Sequence, residues 1–380
     1  MKKQIIENLL QNTGIEIDGT NPWDIQVKNS GFYDRVLQDH SLGLGESYMD
    51  GWWECEELDE VFHKLLLVDI EQLVQEKFTK DKEFFLMGLK LLFRKLPHFI
   101  LNFQRKSKAF EVGEEHYNIG NDLFSAMLDP EMNYTCGYWK DQDNLADAQA
   151  AKCKLICDKL NLQPNQRILD IGCGWGSFAR YAAKNYGVEV VGVTISKEQK
   201  ELADELNKGL PITIELKDYR DITEQYDHVV SIGMFEHVGY KNYKTYMEVA
   251  ANALKDDGLF LLHTIGSNTT SHFTNDWVQK YIFPNGMLPS IAQIGKAVEN
   301  HFVVEDLHNF GADYDKTLMA WHQQFNEAWG KLEGNYSNRF YRMWNYYLLS
   351  CAGSFRARYI QLWQWVLSKN GVINGYQSLR

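Results

Sequence analysis

Leu169-Asp170-Ile171-Gly172-Cys173-Gly174-Trp175-Gly176 is the stretch whose reading decides the fold. It continues a short apolar run, Arg167-Ile168-Leu169-Asp170, and leads into a helical stretch from Ser177 to Asn185. Glycines at alternate positions let the backbone approach a ligand closely, and the helix start behind them favours negative charge. Dinucleotide-binding turns space their glycines Gly-x-Gly-x-x-Gly, whereas this one reads Gly-x-Gly-x-Gly, which argues against a nicotinamide or flavin enzyme. Cys173, inside the turn, reads as a packed small residue rather than a reactive thiol.

Working outward, helix and short apolar strand alternate. A helix over Ala146–Leu160 precedes the turn; strands are expected at Val188–Val193, Ile212–Leu216, His228–Ile232 and Leu259–His263. Such alternation predicts an α/β fold, Rossmann-like, with a mostly parallel sheet covered by helices on both faces. Beyond it come Phe302–Val304, a helical stretch around Met319–Trp329, and a final strand at Ile360–Leu367. Ahead of it, residues 1–75 read as a small α+β domain for lipid or dimer contact. There Phe32–Leu37 looks helical, Leu42-Gly43-Leu44-Gly45-Glu46 reads as a turn, and a helix begins near Leu58. A basic amphipathic connector over 76–108 then joins this domain to a catalytic domain, 109–380.

The net charge of −12 makes nucleic acid an improbable partner, since a basic footprint is absent overall. Charge is uneven, however. Lys77, Lys80, Lys82, Lys90, Arg94, Lys95, Arg105, Lys106 and Lys108 face only Asp81 and Glu83 within their segment. With interleaved Leu and Phe, that segment reads either as a contact for anionic lipid or as a solvated helix face. The 51 aromatic rings (11 Trp, 20 Tyr, 20 Phe) supply apolar area and faces that stabilise cations. No apolar run reaches the ~18–20 residues of a spanning helix, and Met1-Lys2-Lys3 with Gln4 and Glu7 lacks the core of a signal peptide. A cytoplasmic location is expected. The six cysteines show neither a disulfide framework nor a zinc site, so no metal is expected.

The glycine-rich stretch resembles the first motif of the class I S-adenosylmethionine-dependent methyltransferases. That resemblance implies S-adenosylmethionine at Asp170, Gly172, Cys173, Gly174, Trp175 and Gly176. An acidic residue usually ends the second strand and meets the ribose. Here the strand ends Val193-Thr194-Ile195-Ser196-Lys197-Glu198-Gln199, without one. Thr194 and Gln199 are expected to do this hydrogen bonding, flanking Ile195 and Ser196; Gln199 also reads as an exposed helix residue. Asp218-Tyr219-Arg220 is placed to meet the adenine, with Tyr219 as a stacking ring.

Several further blocks resemble one family: Glu115-His116-Tyr117-Asn118-Ile119-Gly120-Asn121-Asp122-Leu123-Phe124, Tyr134-Thr135-Cys136-Gly137-Tyr138-Trp139, Gly233-Met234-Phe235-Glu236-His237-Val238, His263-Thr264-Ile265-Gly266 and Tyr281-Ile282-Phe283-Pro284-Asn285-Gly286. The family is the cyclopropane-fatty-acyl-phospholipid synthases, relatives of the mycolic-acid cyclopropane synthases. The resemblance reaches Leu42 to Glu54, which favours the phospholipid branch. It implies methylene transfer from S-adenosylmethionine to a cis double bond, through a carbocation deprotonated by a bound bicarbonate ion. By motif, the ion's cage is Cys136, Glu236, His263, the backbone N–H of Ile265, and Tyr314. Tyr134 and Tyr314 offer ring faces to the carbocation, and Tyr134 and Thr135 border the cofactor. Cys351 matches a cysteine once considered a nucleophile, although the chemistry requires no thiolate. Trp321, Phe325 and Trp329 fall on one helical face and read either as an acyl channel or as a core stripe. The resemblance also implies a homodimer acting peripherally at the inner face of the membrane on bilayer phospholipid. A methyltransferase without ring closure is the alternative.

Overall fold

Short runs of β-branched and aliphatic residues build the centre of the molecule, because a strand buried on both faces needs apolar side chains on both. The computed structural model describes residues 2–68, 104 and 119–380. A two-residue pair, β1 (Gln26–Val27) with β2 (Trp53–Glu54), lies in the N-terminal region. The main sheet contains β3 (Arg167–Ile171), β4 (Glu189–Thr194), β5 (Ile212–Leu216), β6 (His228–Ile232), β7 (Leu259–Ser267), β8 (Val303–Asn309) and β9 (Ile360–Ser368). Their spatial order is β5-β4-β3-β6-β7-β9-β8. Strands β3 to β7 are parallel, while β9 inserts antiparallel between β7 and β8. Chain order reverses at β3, so the crevice outside its carboxyl end is where such sheets bind ligands. The α/β, mostly parallel architecture expected from the sequence is present. Strand β7 runs four residues further than expected, to Ser267, because β9 pairs with it up to Ser267↔Ile360.

Among the described residues the helices are α1 (Lys2–Leu10), α2 (Gly31–Met49), α3 (Leu58–Leu67), α4 (Asn121–Met127), α5 (Leu145–Lys159) and α6 (Ser177–Tyr186). They continue with α7 (Lys197–Leu206), α8 (Tyr243–Ala253), α9 (Asp276–Tyr281), α10 (Ile291–Val298), α11 (Ala312–Leu332) and α12 (Asn338–Arg356). None is long and apolar enough to cross a membrane. The connector expected over 76–108, with its basic residues, lies outside the described residues apart from Gln104.

One local expectation is corrected. Leu42–Glu46 is helical, and the chain turns earlier, at His40 (φ 50°, ψ −123°) inside α2. The glycines there serve close packing. A Cβ on Gly43 would stand 2.1 Å from the carbonyl oxygen of Arg35, and one on Gly45 would stand 2.3 Å from the Trp277 ring. Helix α12 has no counterpart in the sequence reading. Its residues Phe340, Trp344, Tyr347, Leu348 and Cys351 recur at helical spacing, an apolar stripe that the sequence reading passed over.

Helix α12 joins the N-terminal region to the rest. Apolar residues from Ile6 to Val61 continue into one cluster with Trp321, Phe325, Trp344 and Phe355. Tyr48 packs on Tyr346 at 5.6 Å. The Arg356 guanidinium reaches Asp59 at 2.7 Å and both carboxylate oxygens of Asp315 at 3.0 Å. Contact is closest at Gly353, where a Cβ would fall 2.3 Å from the Asp59 carbonyl oxygen. In an open helix Gly→Ala would gain about 1 kcal/mol of helix propensity. Overpacking against backbone costs about 1–3 kcal/mol, so the clash wins. Gly353→Ala is therefore expected to lower stability in denaturant titration; an unchanged or raised midpoint would show that α3 and α12 pack less tightly.

Candidate active site

At the carboxyl end of β3 the chain must leave the sheet sharply. Gly172, Gly174 and Gly176 all take positive φ (82°, 54° and 75°), a region side chains disfavour, and Gly176 caps α6. A Cβ on Gly172 would also stand 2.5 Å from Met234. Over this loop lies a cavity with about 990 Å³ of empty space, part of it open to solvent. Of the residues expected at the cofactor, Gly172, Gly174, Thr194, Ile195, Gln199, Tyr219 and Arg220 line it.

Thr194 donates to the Gln199 side-chain carbonyl at 2.9 Å, so the two act as one polar unit at the tip of β4, and Gln199 is buried rather than an exposed helix residue. The acid lacking at that tip is supplied by the next strand. Asp218 lines the cavity, with its carboxylate gripped by Arg220 at 2.7 Å through both Nε and Nη2. The Tyr219 ring packs on Tyr246 at 5.0 Å, and its phenol is held up at about 12 by burial.

The other expected cofactor residues stand behind the cavity wall. Ser196 caps α7 through the Gln199 N–H, and Cys173 packs with Ala203 and Ile214. Trp175 donates to Asn121 at 3.1 Å. Thr135 accepts from Lys152 at 3.1 Å, and Tyr134 shares a 2.8 Å hydrogen bond with Tyr347. Asp170 is 2% exposed; burial raises its carboxyl to about 7, and its Oδ1 has no partner. His237, which follows the fourth strand of the sheet and was expected at the crevice with Glu236, lines the cavity, whereas Gln104, Lys217, Met234 and Asn285 were missed as lining residues. Gln104 arrives from far along the chain and donates to the Asn285 carbonyl at 2.5 Å, a link no local pattern announces.

A buried polar cluster forms around the ends of β6 and β7. Glu236 follows β6 in a short 3-10 turn, and its Oε1 accepts from the Ile265 N–H at 2.7 Å. That amide, expected as a direct donor to an anion, instead holds the carboxylate. His263 lies two residues back on β7, hence on the same face. Glu236 Oε2 and His263 Nε2 are both buried without a hydrogen-bond partner by geometry, although the Thr264 hydroxyl lies close enough to Glu236 to favour its ionised form. Unpaired buried polar atoms cost about 1–3 kcal/mol each and call for a ligand or water. Tyr314 begins α11 and lies within electrostatic reach of Cys136, Tyr134, Glu236 and Cys351. Its ring stacks on Phe355 at 4.5 Å and meets Trp321 edge-on at 5.9 Å. Cys136 donates to the Gly137 carbonyl at 3.1 Å.

Burial sets the charge of the cluster. It lifts the Glu236 carboxyl to about 7, opposed by the Ile265 N–H, and drives His263 well below its ordinary range, so the imidazole is neutral. It also pushes the Tyr314 phenol and Cys136 thiol well up, leaving both as neutral O–H and S–H groups. Cys351, half-buried on α12, is raised to about 12, which removes the thiolate a nucleophile needs. Phe325 and Trp329 pack against Tyr341 of α12 as a core stripe, while Trp321 meets Tyr134 and Tyr314.

Sheet order, glycine turn and cavity together define a class I S-adenosylmethionine-dependent methyltransferase. A family model described as mycolic acid cyclopropane synthetase matches residues 104–365. The chain is 56% identical over 377 residues to the cyclopropane-fatty-acyl-phospholipid synthase of Escherichia coli K12, covering 99% of this chain and 96% of that one. Among solved structures, the cyclopropane synthase MmaA2 from Mycobacterium tuberculosis matches with a TM-score of 0.65 and 32% identity, over 68% of this chain and 98% of that one. The mycolic acid cyclopropane synthase CmaA1 complexed with SAH and CTAB matches with a TM-score of 0.65 and 33% identity, with the same coverage. The chain belongs to the cyclopropane synthase family.

A raised carboxyl makes stability pH-dependent with a definite sign. Between 4.5 and about 7 the folded chain keeps a proton on Glu236 that the unfolded chain has lost. This contribution is complete below 4.5 and is lost as pH rises through the folded value, on the order of 3 kcal/mol in all. Relative to wild type, Glu236→Gln is therefore expected to gain stability from pH 5 to about pH 7 and to level off above it in denaturant titrations of the ligand-free protein. A pH-independent difference would contradict the buried, unpaired carboxyl.

Proposed function

We propose that this chain transfers the methyl carbon of S-adenosylmethionine to the cis double bond of an unsaturated acyl chain in a membrane phospholipid and closes a cyclopropane ring. The alkene π electrons take the methyl, the carbon–sulfur bond breaks, and S-adenosylhomocysteine leaves. A carbocation remains on the acyl chain. Loss of one proton from the transferred carbon releases the electron pair that closes the ring.

The observation that carries this reading is the pair of buried, unpartnered atoms Glu236 Oε2 and His263 Nε2. Methyl transfer alone needs no such pair; ring closure needs a base. Burial leaves the imidazole a weak base, the phenol and thiol keep their protons, and the Glu236 carboxylate is fixed by the Ile265 N–H. The donor set fits a small oxyanion such as bicarbonate. Its place would be among Glu236, His263, Tyr314 and Cys136, with Ile265 fixing the carboxylate. When bound, the ion supplies a base for the proton of the transferred carbon. Glu236 accepts a hydroxyl proton when ionised, and His263 and Tyr314 donate. Ring faces of Tyr134, Tyr314 and Trp321 favour a nearby cation, by about 0.5–2 kcal/mol each. Opposite them, Thr194, Gln199, Asp218 and Tyr219 bind and orient the nucleoside.

The phospholipid substrate is supported by the Escherichia coli relative, whose similarity runs through the N-terminal region, whereas the mycobacterial structures cover 68% of the chain. The nine basic residues between Lys77 and Lys108 support peripheral docking on an anionic bilayer. The homodimer and a cytoplasmic site of action rest on the family resemblance.

Lipid mass spectrometry of cells making this chain should show unsaturated acyl chains gaining one CH₂ and resisting hydrogenation. With Glu236→Gln the product should fall by about 100-fold or more while S-adenosylmethionine affinity stays near that of wild type. Full ring formation by that variant would remove the base-holding role. Binding to anionic vesicles should weaken as salt is added, since surface attraction is screened within about 10 Å at 0.1 M; salt-independent binding would exclude electrostatic docking.

A further inference from the structure

A buried row of polar side chains runs behind the active site, away from the cavity. Register places His263 of β7 directly opposite Gln364 of β9, and Gln364 directly opposite His308 of β8. Lys159, at the end of α5 and fully buried, sits over the row. Its ammonium donates to Gln364 Oε1 at 2.9 Å and lies 3.1 Å from His308 Nδ1 and 3.8 Å from Asp306. Asp306 is gripped by both Nη atoms of Arg380 at 2.6 and 2.7 Å, and by Ser378 at 2.9 Å. The Gln364 amide nitrogen stands 3.2 Å from His263 Nδ1.

These contacts leave one consistent arrangement of hydrogens. Burial lowers the Lys159 ammonium to about 7; charged or neutral, its nitrogen keeps N–H donors, so the oxygen of the Gln364 amide faces it and the NH₂ faces His263. The NH₂ can only donate, so His263 Nδ1 must accept, and the ring proton must sit on Nε2. His308 is held neutral, at about 3, by burial and by the cations Lys159 and Arg380, which leaves a ring nitrogen free to accept from Lys159. We propose that Lys159, acting through Gln364, is a positioning device that fixes His263 as the Nε2–H tautomer, making it a hydrogen-bond donor toward the site shared with Glu236. An imidazole of the other tautomer would present a lone pair to an anion there and repel it. The functional consequence rests on the proposed reaction; the tautomer itself does not.

The test is ¹⁵N NMR of the full chain labelled at histidine, with His263 assigned by its substitution, together with steady-state kinetics. In wild type the His263 proton should be found on Nε2 at neutral pH. Gln364→Leu removes the donor to Nδ1, and Lys159→Met removes the anchor of the amide. Each should bring the Nδ1–H form into view and lower kcat by about 10-fold or more, with KM for S-adenosylmethionine little changed. A wild-type His263 carrying its proton on Nδ1 would overturn the proposal even if both variants fail to fold. So would folded variants that keep the Nε2–H form and the wild-type kcat. If wild type shows the Nε2–H form but makes no ring product, the proposed reaction fails and the tautomer assignment stands.

Discussion

Burying a carboxylate without an opposite charge is costly, and the protein places one, Glu236, within hydrogen-bond reach of the Ile265 amide. That single N–H ties the turn after β6 to strand β7 and leaves the second carboxylate oxygen without a hydrogen-bond partner. The rest of the site is arranged to tolerate this choice. Cys136, Tyr134 and Tyr314 bring neutral polar groups and ring faces, and no ammonium or guanidinium forms an ion pair with Glu236 among the described residues. A site of this character loses stability to keep buried polar atoms unpaired.

The sheet accounts for how so many polar groups come to one spot. Parallel strands deliver the glycine turn, Thr194, Asp218, Glu236 and His263 to one edge, and the antiparallel β9 backs β7 along its length. Helix α5 contributes two fully buried lysines, spaced seven residues apart and so on one face. Lys152 holds Asn133 at 2.9 Å and Thr135 at 3.1 Å, fixing the segment that leads to Cys136, while Lys159 holds Gln364. From the other side, α3, α11 and α12 wall the cluster with rings, which makes the N-terminal region part of the same packed body as the site.

Much of this was legible in the sequence, and the gaps have physical causes. Strands such as Glu189–Thr194 and His228–Ile232 fall where the apolar runs put them, because a doubly buried strand declares itself by composition. The glycine turn and the Thr194–Gln199 unit were likewise visible. Helix α12 was not read, although Phe340, Trp344, Tyr347 and Leu348 carry the helical period, because Tyr341 and Tyr346 add rings beside that stripe. Gly43 and Gly45 looked like a turn because glycine signals either a bend or a close approach, and only the neighbours, Arg35 and Trp277, tell which. Asp170 is sealed beneath the turn rather than lining the cavity. Gln104, Gln364 and Lys159 escaped because their roles depend on partners more than a hundred residues away. The Ile265 amide was expected to meet the ion; the structure gives it to Glu236.

The proposed trapped anion makes ring closure depend on dissolved carbonate, and depleting it separates this chemistry from a side-chain base. Ring formation by the purified enzyme should be followed on unsaturated phospholipid vesicles in buffer freed of dissolved carbonate, before and after bicarbonate is restored. The account predicts a rate that falls on depletion and recovers on restoration, with S-adenosylmethionine binding unchanged throughout. A full rate in the depleted buffer, with carbonate shown to be absent from the protein itself, would contradict it.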